Sequence, residues 1–112
     1  MSGTGTATVV GPLAEIPEGE GRAYAVGTDQ VAVFRLRDGS VRALSAVCPH
    51  RGGPMADGQI DSAVVICPLH LHAFELVTGC STTGAPPLTV YRAFVDAAGM
   101  VAVEAGVRPD CP

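Results

Sequence analysis

Two short motifs, Cys48-Pro-His50 and Cys67-Pro-Leu-His70, constrain this chain more than any other feature. Sixteen residues separate them, and each motif supplies one thiol and one imidazole. These are side chains that bind transition metals in proteins. A proline follows each cysteine, and two glycines and a proline come soon after the first histidine, so that backbone amides can approach an anionic sulfur closely. The motifs therefore predict a metal centre held by Cys48, His50, Cys67 and His70.

The order of the four ligands bears on which metal they bind. A structural zinc site also takes two cysteines and two histidines, but zinc fingers group the two cysteines together and the two histidines together. This chain interleaves them. A [2Fe–2S] cluster in which two histidines replace two of the four cysteines takes the same four ligands, and two loops that each give one thiolate and one imidazole supply them. The interleaved order favours this cluster and leaves a structural zinc module as the remote alternative.

Length and charge limit the classes of function. With 112 residues the chain is expected to form a single domain, 1–112. Its hydrophobic core is expected to be modest, so that a metal centre could add to its stability. Seven arginines, no lysine and eleven acidic residues give a net charge of −4, which argues against nucleic acid and anionic membranes as partners. No leader-like segment and no apolar run of membrane-spanning length is evident in the sequence, so we expect a cytoplasmic protein.

Short apolar runs between turn residues predict strands, and no stretch has the period of a helix of ordinary length. One hairpin, with a two-residue turn at Asp38-Gly39, leads the chain to Cys48, and short strands flank the second motif. We therefore expect an all-β domain of about ten short strands in small antiparallel sheets, with a metal-binding subdomain at about 44–88 on a base made from both chain ends. The predicted strands span 31–37, 41–47, 63–67, 72–76, 88–95 and 100–104.

Several motifs are typical of one family of metalloproteins. They are Cys48-Pro-His-Arg-Gly-Gly-Pro-Met, Cys67-Pro-Leu-His, Phe74 and Thr78-Gly79. In these motifs the chain closely resembles the Rieske [2Fe–2S] family, over about residues 21–103. The resemblance implies a Rieske-type fold, one [2Fe–2S] cluster per chain and a role in electron transfer. It also implies that Cys48 and Cys67 bind one iron, and that His50 and His70 bind the other.

Within this family the chain looks most like the small subunit of NAD(P)H-dependent nitrite reductase. The typical segments are Glu20-Gly-Arg, Val31-Ala-Val-Phe-Arg and Asp57-Gly. That resemblance implies a role in nitrate assimilation beside a large subunit with flavin and sirohaem. The alternative is a soluble Rieske ferredoxin that donates electrons to a ring-hydroxylating oxygenase. The chain is not expected to be catalytic alone, because it has no glycine-rich nucleotide-binding turn after a strand and no cysteines spaced for a second cluster.

The remaining cysteines are expected to have no role. Rieske proteins of respiratory cytochrome complexes carry two further cysteines that bridge the cluster loops, but Gly53 and Leu69 occupy the matching positions here. The resemblance therefore implies the low-potential branch, toward the lower end of the range of about −150 to +300 mV for such centres. Cys80 and Cys111 lie outside the two motifs, and we interpret them as free thiols.

Residues beside the ligands carry further expectations. Leu71 stands where the family usually has glycine, which leaves the geometry of the second loop open. Phe74 is expected to pack beneath that loop, and Pro86-Pro87, by resemblance, to cover one side of the cluster. Arg51 is expected to stay solvated. His72 is interpreted as a solvent-facing or hydrogen-bonded surface residue, with a docking or electron-exit contact as the alternative.

Overall fold

The chain folds into antiparallel sheets in a computed structural model that describes residues 7–47, 58–61, 63–67, 72–84, 86–107 and 111. Within these ranges there are nine strands and one short 3-10 turn at Leu13–Glu15. The all-β prediction is confirmed. The strands are β1 Thr8–Pro12, β2 Gly21–Val26, β3 Asp29–Arg35, β4 Val41–Ser45, β5 Gln59–Asp61, β6 Val64–Ile66, β7 Ala73–Glu75, β8 Val90–Val95 and β9 Met100–Val107.

Six strands form the larger sheet, in the order β1-β9-β8-β4-β3-β2. Its two edge strands, β1 and β2, come into contact, so the sheet curls around one of its faces. Buried residues on that inner face make what we call the inner core. Its members are Ile16, Val31, Val33, Val41, Ala43, Tyr91, Val101 and Val103. Both ends of the chain contribute strands to this sheet, as predicted, and the β3–β4 hairpin lies between them.

The smaller sheet has three strands of three residues each, in the order β5-β6-β7. It packs on the larger sheet through a second buried cluster, which we call the inter-sheet core. That core consists of Ala32, Phe34, Leu44, Ala46, Val65, Cys67, Phe74, Leu76 and Leu88. Because successive side chains of a strand point to opposite faces, β3 supplies Val31 and Val33 to the inner core and Ala32 and Phe34 to the inter-sheet core. Strand β3 is therefore buried on both faces.

The turn between β3 and β4 differs from the prediction. The sequence favoured a two-residue turn at Asp38-Gly39, but Leu36 N–H donates to the carbonyl of Ser40 at 2.8 Å, which leaves a three-residue loop. Gly39 has φ of +90°, the left-handed geometry that such a loop needs at its last position. The Ser40 hydroxyl and amide donate to the Asp38 carboxylate at 2.6 and 2.9 Å, and these bonds lower the pKa of Asp38.

No helix in the described ranges is long and apolar enough to cross a membrane.

Candidate metal centre

Cys67 is the predicted ligand that falls within the described residues. It directly follows β6, and its side chain is 0% exposed, in contact with the inter-sheet core. Phe74 on the neighbouring strand β7 is buried in the same core as Cys67, and its predicted packing beneath the rest of the second motif stays a prediction. The other three predicted ligands, Cys48, His50 and His70, lie outside the described residues, as do Arg51 and Leu71.

The second motif leaves and re-enters the small sheet at one point. Ile66 pairs with Ala73 across β6 and β7, and the N–H of Cys67 donates to the carbonyl of His72 at 2.8 Å. This hydrogen bond closes the neck of the connection that contains residues 68–71. A two-strand neck of this kind fixes the backbone at Cys67.

The first motif starts from the same core. Strand β4 ends at Ser45, and Ala46 is buried in the inter-sheet core while its N–H donates to the carbonyl of Gln30 at 2.8 Å. Val47 comes next, with its N–H donating to the Ser45 hydroxyl at 3.3 Å, and its side chain is 45% exposed. Ala46 and Cys67 thus place the starts of both motifs on one buried cluster, as expected if the motifs bind one centre.

A segment after β7 pairs with the edge of the β6–β7 hairpin, along β7. The carbonyl of Cys80 accepts from the N–H of Glu75, and the carbonyl of Ala73 accepts from the N–H of Thr82, both at 2.9 Å. Residues 80–83 therefore extend the small sheet by one irregular strand next to β7. At its end, the Thr83 hydroxyl lies 2.8 Å from His72 Nδ1 and accepts from the N–H of Ala73 at 3.2 Å.

His72 is thus a hydrogen-bonded, half-buried residue, in agreement with the first of its two interpretations. Thr83, eleven positions away, was missed by the sequence reasoning. The sequence of residues 80–83 has no alternating pattern that would predict a strand. Their pairing with β7 depends instead on the turn at Gly79, where φ is +75°.

The interpretation of Cys80 and Cys111 as free thiols is wrong. The structure joins them in a disulfide with a Cα–Cα distance of 5.8 Å, within the usual range for such a bridge. The two residues are 31 positions apart, and Cys111 lies beside the segment that follows β7 although it comes after β9 in the sequence. Sequence spacing alone gave no sign of that approach.

The chemistry at Cys67 fits an iron–sulfur ligand. A cluster thiolate has to be shielded from bulk water and backed by a rigid neck, since exposure and hydrogen bonding to the sulfurs govern cluster behaviour. Cys67 meets both requirements, because its side chain is fully buried and its backbone N–H is fixed by His72. Pro87 is half-buried and Pro86 exposed, and their predicted cover of the cluster stays a prediction.

Comparison with known proteins agrees with this geometry. Residues 6–94 match the Rieske [2Fe-2S] domain family. The 3-phenylpropionate/cinnamic acid dioxygenase ferredoxin subunit of Escherichia coli K12 is 35% identical over 88 residues, which cover 76% of this chain and 81% of that protein.

Two solved structures are also similar. One is described as an NADH-dependent nitrite reductase small subunit from Mycobacterium tuberculosis, with a TM-score of 0.83, 29% identity and coverage of 89% of this chain and 95% of that chain. The other is the ferredoxin of carbazole 1,9a-dioxygenase from Nocardioides aromaticivorans IC177, with a TM-score of 0.80, 31% identity and coverage of 88% and 97%. The buried cysteine on its small hairpin, the antiparallel fold and these matches together show that the chain belongs to the Rieske [2Fe–2S] domain family, whose members bind a [2Fe–2S] cluster.

Proposed function

We propose that this chain is a one-electron carrier whose cluster is held by Cys48, His50, Cys67 and His70. The observation that carries the proposal is the position of Cys67, fully buried at the neck of a hairpin on the same core from which the first motif departs. When bound, the cluster supplies reversible transfer of a single electron. The chain's own residues hold it, exclude water from the Cys67 side and present the opposite side to a partner.

The proposed partner is the terminal oxygenase of a ring-hydroxylating dioxygenase system. Support comes from identity: 35% and 31% to the two dioxygenase ferredoxins, against 29% to the nitrite reductase subunit. This proposal reverses the order in which the motifs alone rank the two partners. An acidic chain of net charge −4 would dock on a basic patch around the partner's acceptor site.

The second candidate is the small subunit of an NAD(P)H-dependent nitrite reductase. It is supported by the TM-score of 0.83 to the M. tuberculosis protein, and by the segments around Glu20, Val31 and Asp57 that resemble such subunits. In this role the chain would pass electrons within a complex whose large subunit carries flavin and sirohaem. Direct measurement of electron transfer distinguishes this role from the first candidate.

Anaerobic stopped-flow mixing distinguishes the two candidates. The reduced protein is mixed with an oxidised terminal oxygenase from the same organism and, separately, with an oxidised sirohaem-containing reductase subunit. We expect fast, salt-sensitive reoxidation by the oxygenase, because opposite charges steer the encounter. Fast reoxidation by the sirohaem subunit alone would favour the second candidate, and reoxidation by neither would refute both.

A pair of exposed valines tests where the partner docks. Val47 adjoins the first motif and is 45% exposed, whereas Val9 lies on the edge strand β1 of the larger sheet and is 54% exposed. We expect Val47→Asp to slow reoxidation by the partner about tenfold, because a charge replaces apolar contact area beside the cluster. Val9→Asp should leave the rate unchanged. Equal effects of the two substitutions would contradict docking at the cluster end.

A further inference from the structure

The Cys80–Cys111 bridge connects the two sheets of the molecule. Cys80 lies in the segment that extends the small sheet, and Cys111 lies four positions beyond the end of β9, the second strand of the larger sheet. A covalent bond between them therefore limits how far the small sheet can separate from the larger one.

Hydrogen bonds lead from this bridge to the cluster ligand. Cys80 begins the segment that pairs with β7, where its carbonyl accepts from the N–H of Glu75. The same segment ends at Thr83, which contacts His72, and the carbonyl of His72 accepts from the N–H of Cys67. A change in the position of Cys80 would therefore reach the neck of the second ligand loop through one short strand.

The bridge also lies at the base of the loop that contains Pro86-Pro87. The carbonyl of Gly79, directly before Cys80, accepts from the N–H of Leu88 at 2.9 Å, and Leu88 is buried in the inter-sheet core. The bridge thus adjoins the point where this loop is anchored to the core.

Both cysteines are partly exposed, so a small or protein thiol can reach the sulfurs. Exposed bridges are the labile ones, and disulfides in a reducing compartment, such as the cytoplasm that the sequence predicts, are usually transient or redox-sensing.

We propose that Cys80 and Cys111 form a thiol–disulfide exchange site that controls how firmly the small sheet, and with it the Cys67 loop, is held. The co-reactant is a dithiol. One of its thiolates attacks a bridge sulfur, the bridge S–S bond breaks as a mixed disulfide forms, and the second thiolate of the dithiol then displaces the protein sulfur. The bridge gains two electrons and two protons and becomes two thiols, while the dithiol is oxidised to a disulfide. The closed bridge retains the cluster, and the open bridge lets it leave faster.

The test uses the full-length protein with its cluster, purified aerobically and then handled anaerobically. Dithiothreitol is added in steps, and maleimide labelling followed by mass measurement counts the thiols of Cys80 and Cys111. We expect no label on these two cysteines at the start and one on each after reduction. The midpoint of thermal unfolding should fall by at least about 5 °C. The rate of loss of visible absorbance in the presence of an iron chelator should rise severalfold.

Three variants separate the bridge from direct effects of the dithiol. Cys80→Ser and Cys111→Ser should each behave like the reduced protein and show no further response to dithiothreitol. Thr83→Val should speed loss of the cluster while keeping the bridge and its response to the dithiol, because it removes the hydroxyl that contacts His72, the N–H of Ala73 and Ser81 but leaves both bridge cysteines in place. Reducing the native protein provides the same comparison if a serine variant does not fold.

Three results would overturn the proposal. The first is free thiols at Cys80 and Cys111 in the aerobically purified protein. The second is a bridge that resists dithiothreitol while the protein is folded. The third is reduction that changes neither the unfolding temperature nor the rate of cluster loss.

Discussion

The inner core and the inter-sheet core differ in how their elements are held. The inner core lies within one sheet of six strands, each five to eight residues long, whose backbone pairing is continuous from edge to edge. The inter-sheet core holds a sheet of three-residue strands against the larger sheet, and it includes Cys67. Strands this short form few hydrogen bonds with their neighbours in the sheet. Their stability therefore depends on side-chain packing and on hydrogen bonds and covalent bonds outside the strand pairing.

Because of this difference, the larger sheet can act as a stable base and the small sheet as the metal-binding unit. The larger sheet should keep its structure without the cluster, whereas the small sheet relies on the inter-sheet core, on the Cys80–Cys111 bridge and on the cluster that we propose. Substitutions in the two regions should therefore differ in their effect on cluster retention as well as on stability.

The largest effect is expected at Phe74, the largest side chain that the small sheet contributes to the inter-sheet core. Phe74→Ala should lower the free energy of unfolding by about 3–5 kcal/mol, because it leaves a cavity at a fully buried position. Chemical denaturation and iron content should both report the loss. Phe94→Ala, at a position that is 40% exposed on β8, should cost less than about 1 kcal/mol and leave iron content unchanged. Full iron content in Phe74→Ala would contradict the dependence of the cluster on this core.

A glycine pair comes next. Gly79 has φ of +75°, and a Cβ there would collide with the carbonyl oxygen of Leu88 and, at 2.7 Å, with the side chain of Val90. Gly79→Ala should cost about 3 kcal/mol from strain and overlap together. Gly84 has φ of +90° but open space around it, so Gly84→Ala should cost only about 1 kcal/mol. Equal losses, measured by denaturation, would show that the anchor between Gly79 and Leu88 has no special importance.

The smallest expected effect concerns the inner core at high pH. Burial, and then the hydrogen bond from the Tyr91 hydroxyl to Asp29 at 3.0 Å, raise the pKa of Tyr91 to about 12. In the unfolded chain this group has a pKa of about 10. Its contribution to stability is therefore complete below pH 10 and is lost as the pH rises toward 12, a loss on the order of 2 kcal/mol.

Denaturation at a series of alkaline pH values measures this loss. Tyr91→Phe keeps the ring but removes the ionisable hydroxyl, so its stability should fall less between pH 10 and 12 than that of the wild type. The same slope in both proteins would show that Tyr91 does not titrate as its surroundings imply.

The sequence predicted the parts of the fold that have a local pattern. The β3–β4 and β8–β9 hairpins were predicted because apolar runs flank glycine-containing turns. Strand β2 was missed because all six of its residues are exposed or half-buried, and β5 because it has only three residues. Within the site, the role that we propose for Cys67 follows from its motif, but the contact between Thr83 and His72 and the Cys80–Cys111 bridge depend on how distant segments meet.

The central claim is that Cys48, His50, Cys67 and His70 hold a [2Fe–2S] cluster, and metal and sulfide analysis of the purified protein tests it most directly. The account predicts two irons and two acid-labile sulfides per chain, and loss of both in Cys67→Ser and His70→Ala, together with a lower unfolding temperature. One zinc ion and no sulfide in the wild type, or full visible absorbance with unchanged melting in His70→Ala, would contradict it.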